Sequence, residues 1–225
     1  MQKYWRGHFQ PLYFITNEKE APYGESIKTG PDRGWAANLH LALESIPEDY
    51  VLYAQEDYWI DRMVNGPAIR EYLAILQSGK ADYIRLYPAP PPGKAFLDDE
   101  RLGMIGEDAE YRTSLQMALW RKSTLKSLLI PNETPWQFEV QGSLRSQVFR
   151  DRFLCVQKKA FGIGYVFTAI VNGEWSPLAY DYARREGISV RFDALPQKSL
   201  TRRIKDKVYG KLYKYSRRIR KTLTH

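Results

Sequence analysis

The stretch Tyr50–Trp59, Tyr-Val-Leu-Tyr-Ala-Gln-Glu-Asp-Tyr-Trp, constrains the fold more than any other part of the chain. Val51, Leu52, Tyr53 and Ala54 form an apolar run without clean alternation, which predicts a short strand covered on both faces, as in a parallel sheet. Glu56 and Asp57 follow immediately. Carboxylates inside such a run would be costly to desolvate, so the strand ends before them, and they emerge where open α/β sheets bind ligands. Taken alone, the pair is better read as solvated charge on a loop after a strand.

The flanking segments give that strand a context. Pro11–Thr16 reads as a first strand, followed by a polar loop with the turn formers Pro22 and Gly24. From Gly34 the period changes to that of a helix, with Trp35, Leu39, Ala42, Leu43 and Ile46 on one face, closed by Pro47. A second helix carries Ile69, Tyr72, Leu73 and Leu76, with Gly79 at its C-terminal end. Asp82–Tyr87 reads as a third strand. This order predicts an α/β fold with a mostly parallel sheet, Rossmann-like, flanked by helices.

Pro88-Ala-Pro-Pro-Pro-Gly-Lys then predicts a long loop continuing through Asp98, Asp99 and Glu100. Leu115–Trp120 reads as a strand and Lys122–Leu129 as a helix with Leu125, Leu128 and Leu129 inward. Thr134 is an N-cap for a helix begun by Pro135, with Glu139 about one turn in. Phe153–Val156 and Tyr165–Val171 are strand-like, and Asn172-Gly173 supplies a turn. Ser176–Gly187 has the N-cap, early proline and terminal glycine of a short helix.

Of the 34 basic and 26 acidic residues, 11 basic and one acidic fall in 197–225. The remaining 196 residues therefore hold 23 basic and 25 acidic side chains, so the pI describes the tail and gives little support to nucleic-acid binding by the body. In that tail Leu200, Ile204, Val208, Leu212, Tyr215, Ile219 and Leu223 make one helical stripe amid Lys and Arg. This predicts a basic amphipathic helix suited to an anionic membrane surface, with docking on the domain and RNA binding as the competing readings. The expected organisation is a domain over 1–196 and a helical tail over 197–225. The single Cys155 excludes a disulfide framework within the chain, no apolar run approaches a bilayer span, and the first residues lack the apolar core of a signal peptide. The expected location is cytoplasmic, peripheral on the inner face of the membrane.

The run from Arg33 to Tyr58 resembles the sugar-nucleotide half of GT-A type glycosyltransferases, family-two-like enzymes of bacterial polysaccharide biosynthesis. In those enzymes a helix with small residues and asparagine leads into a strand ending at an Asp-x-Asp or related acidic signature. Asp57 matches the last acid of that signature, while Gln55 stands at its first position. Ser114–Lys122 and Pro135–Glu139 look like the acceptor half. The resemblance spans about residues 10–175. A strand and loop that hold the nucleobase precede this point in the family, so either Lys3–Phe9 replaces that strand imperfectly or the domain is shortened at its N-terminus.

The resemblance implies a nucleotide-sugar donor and a glycan or lipid-linked acceptor. It implies donor contacts at Asp32, Asn38, Glu56, Asp57 and Arg85, and a Mg²⁺ or Mn²⁺ ion on Asp57, because hard oxygen ligands suit a cation that offsets diphosphate charge. Glu139 becomes the candidate base for an inverting transfer, Glu133 the alternative, and Trp136 a platform for an acceptor sugar. The residues alone leave other readings open: Glu139 as a first-turn helix charge, Trp136 as a hydrophobic anchor, Asp32 as a turn residue, Asn38 as a helix surface residue, and Arg85 as an ion-pair partner of Asp82. A catalytically inactive GT-A-like module that binds a glycan or protein is the alternative function.

Overall fold

The computed structural model describes residues 3–5, 11–97, 99–166, 168–171 and 173–196. The tail stripe and most of the Lys3–Phe9 segment lie outside these residues. The chain divides into two compact units, Met1–Tyr165 and Val166–His225.

In the first unit, β1 (Tyr13–Thr16) pairs in parallel with β2 (Glu25–Lys28), apart from the main sheet. Helix α1 (Trp35–Ser45) precedes β3 (Tyr50–Tyr53), and the short β4 (Trp59–Ile60) leads to α2 (Gly66–Gln77) and β5 (Tyr83–Arg85). Then come β6 (Ala95–Phe96), β7 (Asp99–Met104), β8 (Ala118–Arg121), α3 (Lys122–Leu128) and β9 (Phe153–Val156). Gly24 turns β1 into β2 at φ 73°, where a Cβ would lie 2.7 Å from the Leu12 carbonyl oxygen.

The main sheet has six strands in the order β3-β8-β5-β9-β7-β6. The helices and the multistranded sheet make a mixed α/β fold, but the expected mostly parallel pairing is corrected: within this sheet, among the described residues, only β5 and β9 are parallel neighbours. β3, β5 and β9 do run in one direction. However, β8 folds back between β3 and β5 and pairs antiparallel with both. The expected long loop after Pro88 is also corrected, since it contains β6 and β7, and β7 pairs antiparallel with β9. Its polar Asp99-Glu-Arg start hides it from a search for apolar runs.

The registers explain why the central strands lack alternation. Leu52, Leu119, Ile84 and Leu154 form a row on one face. Val51, Trp120, Tyr83 and Phe153 form one on the other, with Tyr53, Ala118, Arg85 and Cys155 beside it. Tyr83 packs on Trp120 and Phe153 with ring centroids 4.2 and 5.1 Å apart, and all three are fully buried. Both faces bear core side chains, so both must be apolar.

At the N-terminal rim of β5, Asp82 is buried between two cations. Arg121 Nε lies 2.7 Å from Oδ1 and Arg152 Nε 2.6 Å from Oδ2. Asp82 thus pairs with these arginines rather than with Arg85. Replacing Asp82 with alanine would leave both guanidinium groups facing each other. Because the arginine side chains are 27% and 43% exposed and retain some water, the expected loss is near the lower end for a broken buried pair, about 3 kcal/mol, read as a lower urea midpoint.

In the second unit, a hairpin joins Ile170–Val171 to Glu174–Trp175, with Gly173 at φ 73°. Helix Pro177–Glu186 follows with the expected punctuation: Ser176 caps its start and left-handed Gly187 ends it. Tyr180 stacks on Phe192 at 3.9 Å.

Candidate functional site

The row Tyr53, Ala118, Arg85 and Cys155 marks where the sheet approaches its other rim. Beyond it the chain turns through Gln55–Tyr58 after β3, enters β8 along Ser114–Met117, and leaves β5 through Leu86–Tyr87. The peptide N–H of Tyr58 donates to the Gln55 carbonyl at 3.2 Å, closing the turn that carries Glu56 and Asp57. Glu56 is exposed and Asp57 half-buried.

Helix α1 abuts this rim through Trp35. Its indole N–H donates to the Tyr53 hydroxyl at 3.2 Å, and its ring lies 5.3 Å from that of Phe138. One turn away, Asp32 Oδ1 accepts from the Gly34 N–H at 2.9 Å and from Asn38 Nδ2 at 2.8 Å. Asp32 and Asn38 therefore anchor each other at the start of α1. Gln55, at the first position of the acidic signature, has its side chain near the Tyr53 hydroxyl.

Glu139 reaches the same rim from a different part of the chain. Thr134 accepts from the Gln137 N–H, and Gln137 Oε1 accepts from the Thr134 N–H, starting the expected helix at Pro135. From Phe138 to Gly142 the helix widens into a π turn. Such turns displace a side chain from the regular helical path and recur at functional sites. Glu139 Oε1 accepts from the Leu115 peptide N–H at 2.8 Å and from the Ser114 hydroxyl at 3.1 Å. Oε2 takes no protein hydrogen bond among the described residues. Trp136, 68% exposed, lies on the preceding turn.

The electrostatics of the tyrosines tie the two acidic elements together. Burial pushes the Tyr53 hydroxyl up to about 12, with the charges of Glu56 and Glu139 both adding to the rise. Tyr58 is raised by burial too, and there the added charges are those of Asp57 and Glu139. Glu139 thus acts on both hydroxyl groups, together with Glu56 at Tyr53 and with Asp57 at Tyr58.

The other candidates have different surroundings. Arg85 is 1% exposed; its Nη1 donates to the Tyr111 carbonyl at 2.9 Å and its Nη2 to the Pro90 carbonyl at 2.6 Å. It ties two loops to the sheet. Glu133 receives a bidentate pair from Arg145, at 2.8 and 2.6 Å, which fixes it away from proton-transfer work. Sequence reasoning missed Ser114, whose hydroxyl disappears into an apparent strand start, and Tyr53, whose polar tip is masked by its apolar run.

Among the described residues no group of three or more His, Cys, Asp or Glu side chains is placed to hold a metal. No described helix is long and apolar enough to cross a membrane.

No family model matches the chain, and no curated protein matches it. Two solved structures are similar, both of Staphylococcus aureus TarS residues 1–349. The complex with UDP is 13% identical with a TM-score of 0.40, covering 63% of this chain and 41% of that one. The complex with UDP-GlcNAc is 15% identical with a TM-score of 0.43, covering 68% and 43% respectively, so the chain spans less than half of either.

Proposed function

We propose that the protein is a glycosyltransferase of the GT-A type, moving a sugar from a nucleotide-sugar donor to a glycan or lipid-linked acceptor. The observation that supports the reading is geometric: Glu139 is bonded to the segment that enters β8, β8 pairs with β3, the strand that leads into Glu56 and Asp57, and Trp35 bridges Tyr53 at the end of β3 to Phe138 beside Glu139. An acidic turn beside a separately anchored carboxylate suits a reaction with a charged leaving group and an alcohol nucleophile.

In this reading the nucleotide sugar lies between the Gln55–Tyr58 turn and the start of α1, within reach of Asp57, Glu56, Asp32 and Asn38. Mg²⁺ or Mn²⁺, held by Asp57 with Glu56 and the donor's diphosphate, would offset the charge of the leaving group. Trp136 stacks on the acceptor ring, for which an exposed indole face is suited. Glu139 Oε2 takes the proton from the acceptor hydroxyl as its oxygen bonds to the anomeric carbon. The bond from that carbon to the diphosphate breaks on the opposite face, and the nucleoside diphosphate leaves with the electron pair. The outcome is inversion. The basic tail is proposed to hold the enzyme on an anionic membrane beside its acceptor.

A thermal-shift panel of UDP and GDP sugars with Mn²⁺ tests donor binding. One donor at about 100 times its Kd should add about 2.7 kcal/mol of stability, and Asp57→Ala should remove the shift. Silence across the panel would favour the alternative of an inactive GT-A-like module that binds a glycan or protein.

A further inference from the structure

The anchoring of Glu139 is more elaborate than a surface helix charge requires. Thr113, Ser114 and Ser143 are buried around it. Thr113 Oγ1 donates to the Phe138 carbonyl at 3.2 Å, and the Thr113 N–H donates to Ser143 Oγ at 3.1 Å. Ser143 in turn donates to the Glu139 carbonyl. Gly142 leaves room for this contact, since a Cβ there would lie 3.0 Å from Thr113 Oγ1. The π turn is therefore clamped from the segment that enters β8.

Ser114 contributes the final constraint. Its oxygen accepts the Gln116 N–H at 3.3 Å, which directs the hydroxyl proton toward Glu139 Oε1. Gln116 is itself held, its Oε1 accepting from the buried Tyr165 hydroxyl, and the Tyr165 ring stacks at 4.9 Å on Tyr58, the residue after Asp57. A continuous set of buried contacts runs from the acidic turn to the carboxylate.

We propose that Ser114 is a positioning residue: with the Leu115 N–H it occupies Oε1 of Glu139 and leaves Oε2 as the working atom. The catalytic part rests on the transferase reading; the positional part does not. A two-part experiment separates them.

Urea midpoints of the wild type, Ser114→Ala, Glu139→Ala and the double variant test position. Ser114→Ala should shift the midpoint much less in the Glu139→Ala background than in the wild type. Equal shifts in both backgrounds would overturn the proposal. Steady-state turnover of the donor found in the panel tests role. Ser114→Ala should lower kcat by about 10- to 100-fold with KM nearly unchanged, and Ser114→Thr, which keeps the hydroxyl, should recover most of it. Unchanged kcat alongside lower stability would make Ser114 structural only. If the wild type turns over no donor, the transferase reading fails, while the urea cycle still decides whether Ser114 fixes Glu139. Should Ser114→Ala not fold, Ser114→Cys supplies the weaker donor in both measurements.

Discussion

Gly162→Ala is expected to destabilise the protein by about 3 kcal/mol or more, at or beyond the top of the usual overpacking range. Gly162 lies where the chain crosses the end of β5, and a Cβ there would sit 1.9 Å from the Leu86 carbonyl oxygen and 2.8 Å from its carbon. These are backbone atoms that cannot rotate aside, and the same carbonyl accepts the Ile163 N–H at 3.0 Å. Moving Leu86 would also disturb its own N–H, bonded to the Met117 carbonyl at 2.8 Å, and with it the approach to β8. Gly164 is a useful contrast. A Cβ there meets Arg62 side-chain atoms, and because that arginine is exposed and can swing out, Gly164→Ala should lose far less. Urea midpoints of the two variants compare them directly.

The place of β3 and the amphipathic period of α1 are legible in the sequence as apolar residues, but β3 is an edge strand whose residues are half-buried, not the strand covered on both faces that its run predicts. Strand direction is not legible. Ala118–Arg121 is covered on both faces like a parallel strand, so its apolar content says nothing of its return between β3 and β5. The Asp99–Met104 strand is illegible for the opposite reason, its charged side chains resembling a loop. At the candidate site, Thr134-Pro135 announces the helix that carries Glu139, and the apolar run of β3 announces where Glu56 and Asp57 emerge. The partners of Arg85 are not legible, because they are backbone carbonyls of two loops, Tyr111 and Pro90, that sequence gives no reason to place beside β5. Ser114 acquires a partner only when the β8 segment meets the π turn, a contact across 25 positions of sequence.

Glu139→Gln is expected to lower transfer by about 10²- to 10⁴-fold, the range for loss of a general base. The change is almost isosteric. The substituted amide would keep an oxygen to accept the Ser114 hydroxyl and the Leu115 N–H, so the π turn and its clamp stay in place, while the outward atom becomes a nitrogen that cannot take a proton. Nucleotide-sugar affinity, which the reading assigns to the Gln55–Tyr58 turn and the start of α1, should be nearly unchanged. Asp57→Ala should show the converse pattern, with affinity falling first.

The central claim is that two acidic elements share one site with divided labour. Calorimetric titration of Glu139→Gln with the panel's donor and Mn²⁺, run beside turnover by the same protein, tests it most directly. Wild-type affinity with transfer reduced at least about 100-fold is the predicted result; full turnover, or donor affinity lost together with transfer, would contradict it.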